Sequence, residues 1–303
     1  MSYILVIGAN PAWEKVLEFN KFASGEVNRA VSVGGYAAGK ATNFCRALKC
    51  LGGISGRQLT FLGGETGRRC ADALNAEGLE CLSIPSAQET RTCTNCVCRG
   101  EMTELVEPGS PITHEMEEQF LALLHENLAD AKGIAVAGSI PGGSMPDFMT
   151  KIAEAANEAN LPMLVDNYQN APEALAVKPD LCLKINAPEL QKLTGQPTIE
   201  EGLAWFHAHY PLATAAITDG PKQAYLLLPQ ECRSIELPVP NVEAVNPLGS
   251  GDTCSAVFFA RLLAGCAPKE AFFDALAAAS ASCLTNQAGN FDSTAMEVLK
   301  NMM

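Results

Sequence analysis

The sequence is short of basic residues. Its 303 residues contain 21 Lys and Arg against 34 Asp and Glu, which gives a formal net charge of −13. A chain this acidic is poorly suited to nucleic acid or to an anionic membrane surface, so we expect neither as a partner. An anionic ligand would have to be held by a few local cations. The candidates are Arg29, Lys40, Arg91 and Lys184.

The sequence also lacks long apolar runs, low-complexity tracts and long linkers. Arg261 interrupts the longest apolar candidate, which begins at Cys254, so no segment reaches membrane-spanning length. The first residues, 1–8, lack a basic region, and their apolar run is too short for a signal peptide. We therefore expect a cytoplasmic protein with a single domain over residues 1–303.

The sequence also lacks a complete set of zinc ligands and a dinucleotide-binding glycine motif. Most of the twelve cysteines lie in apolar patterns, where Cys acts as a small hydrophobic residue. The exception is Cys93-x-x-Cys96-x-Cys98, but a zinc site would need a fourth ligand, and no His is near in sequence. No Gly-x-Gly-x-x-Gly follows the first apolar strand, which argues against a dinucleotide-dependent oxidoreductase.

Short apolar runs alternate with helical patterns along most of the chain. This alternation predicts an α/β fold with a mostly parallel central sheet and helices on both faces. Ligands of such sheets bind beyond the carboxyl ends of the strands. Polar residues follow four predicted strands at that position: Gly138-Ser139, Asp166-Asn167, Lys184-Ile185-Asn186 and Thr218-Asp219-Gly220.

Two segments depart from this alternation. Phe22–Val33 and Glu89–Val106 have the period-two character of short strands, with turn residues such as Gly100. We expect them to form a small β-sheet that projects from the main domain, built from roughly residues 12–36 and 88–108. Such a sheet could cover a site as a lid, and its exposed face is a natural surface for a homodimer.

The most informative segment is Val245–Thr253, in which small residues precede Asp252 at the start of a helical pattern. A helix start leaves backbone N–H groups unpaired and carries the positive end of the helix dipole, which favours an anion. Asp252 could accept the proton of a hydroxyl group that attacks this anion, which describes phosphoryl transfer to an alcohol. The alternative is an ordinary N-cap Asp after a glycine turn.

Several further motifs occur in a fixed order over nearly the whole length, and together with this segment they resemble the ribokinase-like (PfkB-type) carbohydrate kinases. The likeness is strongest to the 1-phosphofructokinase, tagatose-6-phosphate kinase and 6-phosphofructokinase branch. The motifs are Asn10-Pro11-Ala12, Gly25–Arg29, Gly39–Asn43, Phe61–Gly67, Glu89-Thr90-Arg91, Gly138–Pro141, Lys184–Glu189 and Gly249–Asp252.

The resemblance implies a role for each matching residue. Asp252 resembles the catalytic base, and Gly249, Ser250 and Gly251 resemble the anion hole. Lys184, Asn186, Thr218, Gly220 and Asn286 resemble the ATP-binding residues. Asn186 and Glu189 resemble the pair that holds hydrated Mg²⁺, although the same residues would also cap a helix start. A monovalent cation is a further candidate ligand.

On the acceptor side, Glu14, Arg29, Gly39, Lys40, Asn43, Arg91 and Ser139 match residues that meet the sugar or its phosphate. Arg91 is the most diagnostic, because a planar cation suits phosphate; without the neighbouring motifs it would be a surface arginine. Lys40 fits either a phosphate contact or a helix-start lysine.

The sequence departs from the family pattern around the sugar. Glu14 replaces an Asp that accepts hydrogen bonds from sugar hydroxyls, and Ala38 and Ala41 replace glycines. Pro247 replaces a Thr of the final motif. We therefore expect an ATP-dependent kinase of a phosphorylated ketohexose. The alternatives are a kinase of an unphosphorylated sugar or nucleoside and a non-catalytic ligand-binding homologue.

Overall fold

The computed structural model describes residues 2–231 and 233–302. Its strands are β1 (Tyr3–Gly8), β2 (Ala12–Phe19), β3 (Ser32–Ala38), β4 (Ser55–Gly63), β5 (Glu80–Ser86), β6 (Thr92–Cys98), β7 (Glu101–Val106), β8 (Ala131–Ala137), β9 (Met163–Asp166), β10 (Cys182–Asn186), β11 (Thr214–Asp219), β12 (Gln223–Leu227) and β13 (Ile235–Leu237). Its helices are α1 (Lys40–Leu51), α2 (Gly64–Ala76), α3 (His114–Glu126), α4 (Phe148–Glu158), α5 (Ala171–Val177), α6 (Ala187–Thr194), α7 (Ile199–His209), α8 (Ser250–Leu263), α9 (Pro268–Ser282) and α10 (Ser293–Lys300).

Within the described residues, nine strands form the main sheet in the order β13-β12-β11-β10-β9-β8-β1-β4-β5. The strands from β5 to β11 in this order pair in parallel, and β12 and β13 add antiparallel strands at one edge. The fold is therefore the α/β class that the alternation predicts. Its parallel strands place their carboxyl ends along one edge of the sheet.

Apolar cores lie on both faces of the main sheet, and β1 shows why. All six residues of β1 are buried. Successive side chains point to opposite faces, so Leu5 and Ile7 join the cluster with Phe120 and Phe148, whereas Ile4 and Val6 join the cluster with Phe258 and Phe272. A strand that is apolar on both faces is typical of a parallel sheet covered by helices.

The second sheet has the strand order β3-β2-β6-β7 within the same described residues. β2 pairs with β3 in antiparallel and with β6 in parallel fashion. β6 and β7 form a hairpin whose two turn residues, Arg99 and Gly100, both have positive φ, as a tight two-residue hairpin turn requires.

The prediction of a strand over Phe22–Val33 is wrong for most of that segment, because residues 20–31 form a connection and the strands flank it. The side chain of Asn28 explains the difference. Its amide accepts from the Ala23 backbone N–H (2.9 Å) and donates to the Ala23 carbonyl (2.8 Å). A side chain that satisfies the backbone locally competes with strand pairing, and Gly25 turns the chain between the two residues.

In residues 2–231 and 233–302 we find no helix that combines the length and the apolar character needed to cross a bilayer.

Candidate active site

Among the cavities that the described residues form, the two of interest here open at the carboxyl edge of the main sheet. The smaller cavity has a volume of about 210 Å³ and the larger cavity about 640 Å³. The smaller cavity is lined by residues that include Asn10, Gly39, Lys40, Arg91, Ser139, Asp166 and Glu189. The larger cavity is lined by residues that include Asn186, Thr218, Gly220, Val239, Val242, Ser250, Gly251 and Leu276.

The first turn of α8 contributes to the larger cavity through Ser250 and Gly251. Gly249 precedes the helix with φ 74°, and a Cβ atom there would lie 2.9 Å from the Cβ atom of Ala288, so the position requires glycine. No side chain caps this helix start. The first-turn N–H groups have no acceptor within the helix. That of Ser250 donates to the Pro247 carbonyl at a long 3.4 Å, and the N–H groups that follow it are available to an anion.

Asp252 follows directly and is buried. Its Oδ2 accepts a hydrogen bond from Nδ2 of Asn43 at 2.8 Å. Burial raises the pKa of Asp252 to about 6; the Asp166 carboxylate adds to this rise, whereas Lys40, Asn43 and Lys184 oppose it. A carboxylate with this pKa is ionised at neutral pH and still a useful proton acceptor, as a general base should be.

Lys40 lines the smaller cavity and lies within electrostatic reach of Asp252. Its Nζ lies 2.6 Å from Oδ1 of Asp166 and 3.8 Å from Oε1 of Glu189. Burial alone would lower the pKa of Lys40, but the carboxylates of Asp166, Asp252 and Glu189 outweigh it and raise the pKa. Asp166 also accepts from the Ser255 hydroxyl at 2.6 Å. Lys40 is therefore a fixed cation on the cavity wall.

Arg91 lies on the same cavity wall as Lys40 and donates to three backbone carbonyls. The acceptors are Asn10 (3.2 Å, from Nη2), Pro11 (3.4 Å, from Nε) and Glu107 (3.3 Å, from Nη1). A guanidinium has five N–H groups, so one remains on each terminal nitrogen. Ser139 lies nearby, where its hydroxyl accepts from the Asn10 amide at 2.9 Å. The arrangement could present paired donors to an oxyanion.

Asn186 and Glu189 form a capping box at the start of α6. Each side chain accepts from the backbone N–H of the other residue at 2.9 Å. The box uses one carboxylate oxygen of Glu189, and the other oxygen faces Lys40. This second oxygen, Oε1, takes no part in the capping box and suits a hydrated Mg²⁺ held partly through water, because such an ion needs few protein ligands.

The structure brings some of the expected site residues together and leaves others apart. Glu14 is buried in the second sheet, where its Oε1 accepts from the Asn95 amide, and it does not line the smaller cavity. Arg29 and Asn286 are exposed and line neither cavity. Lys184 is buried, with its Nζ 3.4 Å from the Thr218 hydroxyl.

Other cavity residues had no role in the sequence motifs. Gln58 lines the smaller cavity from within a buried strand, where no pattern distinguishes it. Tyr168 and Gln169 extend the strand end Asp166-Asn167, which the sequence did indicate. The apolar wall of the larger cavity comes from Val239, Val242 and Leu276, which are far apart in sequence.

Comparison with solved structures supports the fold over the full length. Phosphofructokinase-2 from Escherichia coli, solved with potassium, has a TM-score of 0.90 at 20% identity, covering 100% of this chain and 99% of that one. A structure of the same enzyme with fructose-6-phosphate has a TM-score of 0.88. A Staphylococcus aureus protein assigned as a phosphofructokinase has a TM-score of 0.80 at 26% identity, covering 98% of this chain and 96% of that one.

The sequence profile of the pfkB family carbohydrate kinases matches residues 1–295. Together with the fold, this match defines the class of protein, which is a sugar kinase. More narrowly, the chain belongs to the pfkB family of carbohydrate kinases. Membership of this family implies the use of ATP.

Proposed function

We propose that this sugar kinase transfers the γ-phosphoryl group of ATP to a hydroxyl group of a phosphorylated ketohexose, such as fructose 1-phosphate, fructose 6-phosphate or tagatose 6-phosphate. The position of Asp252 carries the proposal. This buried carboxylate follows Gly251, which lines the larger cavity. It also lies within electrostatic reach of Lys40 and Asp166, which line the smaller cavity.

In the proposed reaction, Asp252 takes the proton of the acceptor hydroxyl group. The hydroxyl oxygen forms a bond to the γ-phosphorus while the bond to the β,γ-bridging oxygen breaks, and ADP leaves. The backbone N–H groups at Gly249, Ser250 and Gly251 stabilise the negative charge on the transferred group. The proton then passes from Asp252 to solvent.

The larger cavity suits the nucleotide. Its wall of Val239, Val242 and Leu276 offers an apolar surface to an adenine ring. Thr218 and Gly220 line the same cavity. The start of α8 also lines it through Ser250 and Gly251, and its backbone N–H groups would bind the end of the phosphate chain.

The smaller cavity suits the phosphate of the acceptor. Arg91 offers a free N–H group on each terminal nitrogen, Ser139 offers a hydroxyl, and Lys40 offers the N–H donors that its ion pair with Asp166 does not use. These groups oppose the field of a chain whose net charge is −13. An unphosphorylated sugar would leave them without a ligand.

Cations complete the proposal. Asn186 and Glu189 would hold a hydrated Mg²⁺, which neutralises charge on the phosphate groups when it is bound. A potassium complex is known for the Escherichia coli phosphofructokinase-2 structure, and we include a monovalent cation for this chain on that basis.

A substrate panel tests the proposal. ADP release from ATP and Mg²⁺ would be measured with fructose 1-phosphate, fructose 6-phosphate, tagatose 6-phosphate, fructose, ribose and adenosine. We expect the highest kcat/KM for one of the three sugar phosphates. A preference for ribose, fructose or adenosine would contradict the proposed substrate class, and absence of turnover with every acceptor would favour a non-catalytic homologue.

A further inference from the structure

Arg46 is a fully buried cation that no motif of the reaction uses. It lies on α1, one turn after Asn43, and its side chain is 1% exposed. Its Nε and Nη2 each lie 2.7 Å from a carboxylate oxygen of Glu77, and Nη2 also donates to the Ala37 carbonyl at 2.6 Å. The guanidinium is thus held in one plane by contacts on two sides.

The remaining terminal nitrogen of Arg46 contacts the catalytic region. Nη1 donates to Oδ1 of Asn43 at 3.2 Å, and Nδ2 of the same amide donates to Asp252 at 2.8 Å. The two ends of the Asn43 amide therefore face charges of opposite sign. A half-turn of the amide would direct its oxygen at the Asp252 carboxylate and its NH₂ group at the Arg46 guanidinium, and both contacts would be repulsive.

Packing also confines Asn43. A Cβ atom at Gly249 would lie 3.2 Å from Nδ2 of Asn43, and one at Gly289 would lie 2.5 Å from its backbone oxygen. The side chain has little room to move away, so the choice between the two amide orientations is the freedom that remains. Arg46 and Asp252 both favour the same orientation, and Arg46 supplies the donor that holds the oxygen end of the amide.

We propose that Arg46, held by Glu77, is a positioning residue that fixes the amide orientation of Asn43 and so keeps Asp252 hydrogen-bonded and ionised for proton transfer. The inference rests on the proposed function, since it assigns Asp252 as the base. A purely structural ion pair between α1 and the end of α2 would need no contact with Asn43.

Loss of this control should change how Asp252 titrates. If the Asn43 amide can turn, Asp252 loses a donor that stabilises its ionised form, and its pKa rises. The charged groups around Asp252, namely Lys40, Asp166 and Lys184, are unchanged by the substitution. In the wild type, kcat should fall as the pH drops through about 6, where Asp252 becomes protonated.

The test is the pH profile of kcat at saturating ATP and acceptor for Arg46→Lys and Glu77→Gln. Lysine keeps the charge but lacks the fork that reaches Asn43. The acid limb of the profile is the range in which kcat falls towards low pH. We expect its midpoint in Arg46→Lys to move up by roughly 0.5–1 pH unit, since a hydrogen bond to a charged group is partly lost. Glu77→Gln should move it in the same direction by less, and the KM for ATP should stay the same in both.

The matched control is Glu80→Gln. It removes the carboxylate partner of another arginine, Arg57, whose Nε lies 2.7 Å from Glu80, without touching Asn43 or Asp252. Its acid limb should coincide with that of the wild type. A double variant tests whether Arg46 acts on Asp252 through Asn43 or directly. Once Asn43→Ala has removed the amide, adding Arg46→Lys should shift the acid limb no further.

A folded Arg46→Lys with the wild-type acid limb would overturn the inference. If Arg46→Lys does not fold, a wild-type limb in Glu77→Gln would overturn it, because glutamine keeps one oxygen for the guanidinium and the Glu77 side chain is 27% exposed. A further shift of the limb in the double variant would also contradict the route through Asn43. Failure of the proposed function looks different: Asp252→Asn would retain turnover, and the wild type would show no acid limb near pH 6.

Discussion

Arg91 lines the smaller cavity, and its guanidinium donates to three backbone carbonyls that hold it in place. If it binds the acceptor phosphate, Arg91→Ala should raise the KM for the sugar phosphate by about ten-fold to a hundred-fold, the value of a hydrogen bond to a charged group. The KM for ATP should change little. Steady-state kinetics with each substrate varied in turn would measure both constants.

The control for this prediction is Arg99→Ala, which removes an exposed arginine from the hairpin turn between β6 and β7. It should leave both KM values unchanged. If Arg91→Ala raised both KM values equally, the arginine would be structural, and an unphosphorylated acceptor would become the better proposal.

Glu14 carries a second prediction at the residue scale. Burial raises its pKa to about 7, with a further contribution from the Glu104 carboxylate, whereas Asn95 and Arg91 act in the opposite direction. If Glu14 accepts hydrogen bonds from sugar hydroxyls, it does so best when ionised. The acceptor KM of the wild type should therefore rise as the pH falls through about 7. In Glu14→Gln this rise of the KM near pH 7 should be absent.

The substrate phosphate also titrates near this range, with a pKa of about 6, but it contributes equally to every variant. Glu104→Gln is a second informative variant. Because it removes a neighbouring negative charge that raises the pKa of Glu14, the pH at which the acceptor KM rises should become lower. An unchanged pH dependence of the acceptor KM in Glu14→Gln would show that Glu14 does not contact the sugar.

At the scale of the element, the start of α8 contains two glycines with different requirements. Gly249 has a positive φ and no room for a Cβ atom, so Gly249→Ala should lower the free energy of unfolding by at least about 1–2 kcal/mol. A Cβ atom at Gly251 meets nothing within 4 Å, and Gly251→Ala should be neutral or stabilising by up to about 1 kcal/mol.

Activity should not follow stability in this pair. Gly251 lines the larger cavity, so its new methyl group would lie where the phosphate chain approaches and should lower kcat. Urea unfolding and kcat, measured on both variants, check the prediction. A fully active Gly251→Ala would mean that the phosphates do not reach this helix start.

The elements were predictable where one physical signal dominates. The apolar run over Met163–Asp166 predicts a buried strand, and the small residues before Asp252 predict the α8 start; both are confirmed. The segment Phe22–Val33 has the composition of a strand, but the local hydrogen bonds of Asn28 are a matter of side-chain geometry that periodicity does not express.

The site was predictable to the extent that its residues follow strands or begin helices. Ser139, Asp166, Asn186 and Thr218 reach the cavities for that reason. The contact between Arg46 and Glu77 was not predictable, because it joins residues of two helical segments through side-chain packing. That Asn43 contacts Asp252, 209 residues away, likewise emerges only from the packing of α1 against α8.

At the scale of the whole molecule, the second sheet has exposed apolar residues on its edge strands. Val33 on β3 and Leu105 and Val106 on β7 are each more than half exposed. Edge strands with apolar side chains are natural pairing surfaces, and we propose a homodimer through this sheet.

The prediction for assembly compares two valines of similar exposure. Val106 is 57% exposed on β7, and Val298 is 55% exposed on α10. Val106→Glu should give a monomer in sedimentation velocity, whereas Val298→Glu should sediment as the wild type does. A monomeric wild type, or dimers that persist in Val106→Glu, would exclude this interface.

The central claim is that Asp252, the buried carboxylate that follows Gly251 on the wall of the larger cavity, is the base of a phosphoryl transfer. The most direct test is the turnover of Asp252→Asn, with ATP affinity measured by calorimetry on the same preparation. We predict a loss of kcat on the order of 10²-fold to 10⁴-fold, as for removal of a general base, together with a nearly unchanged Kd for ATP. A folded Asp252→Asn that binds ATP and retains a near wild-type kcat would contradict the account.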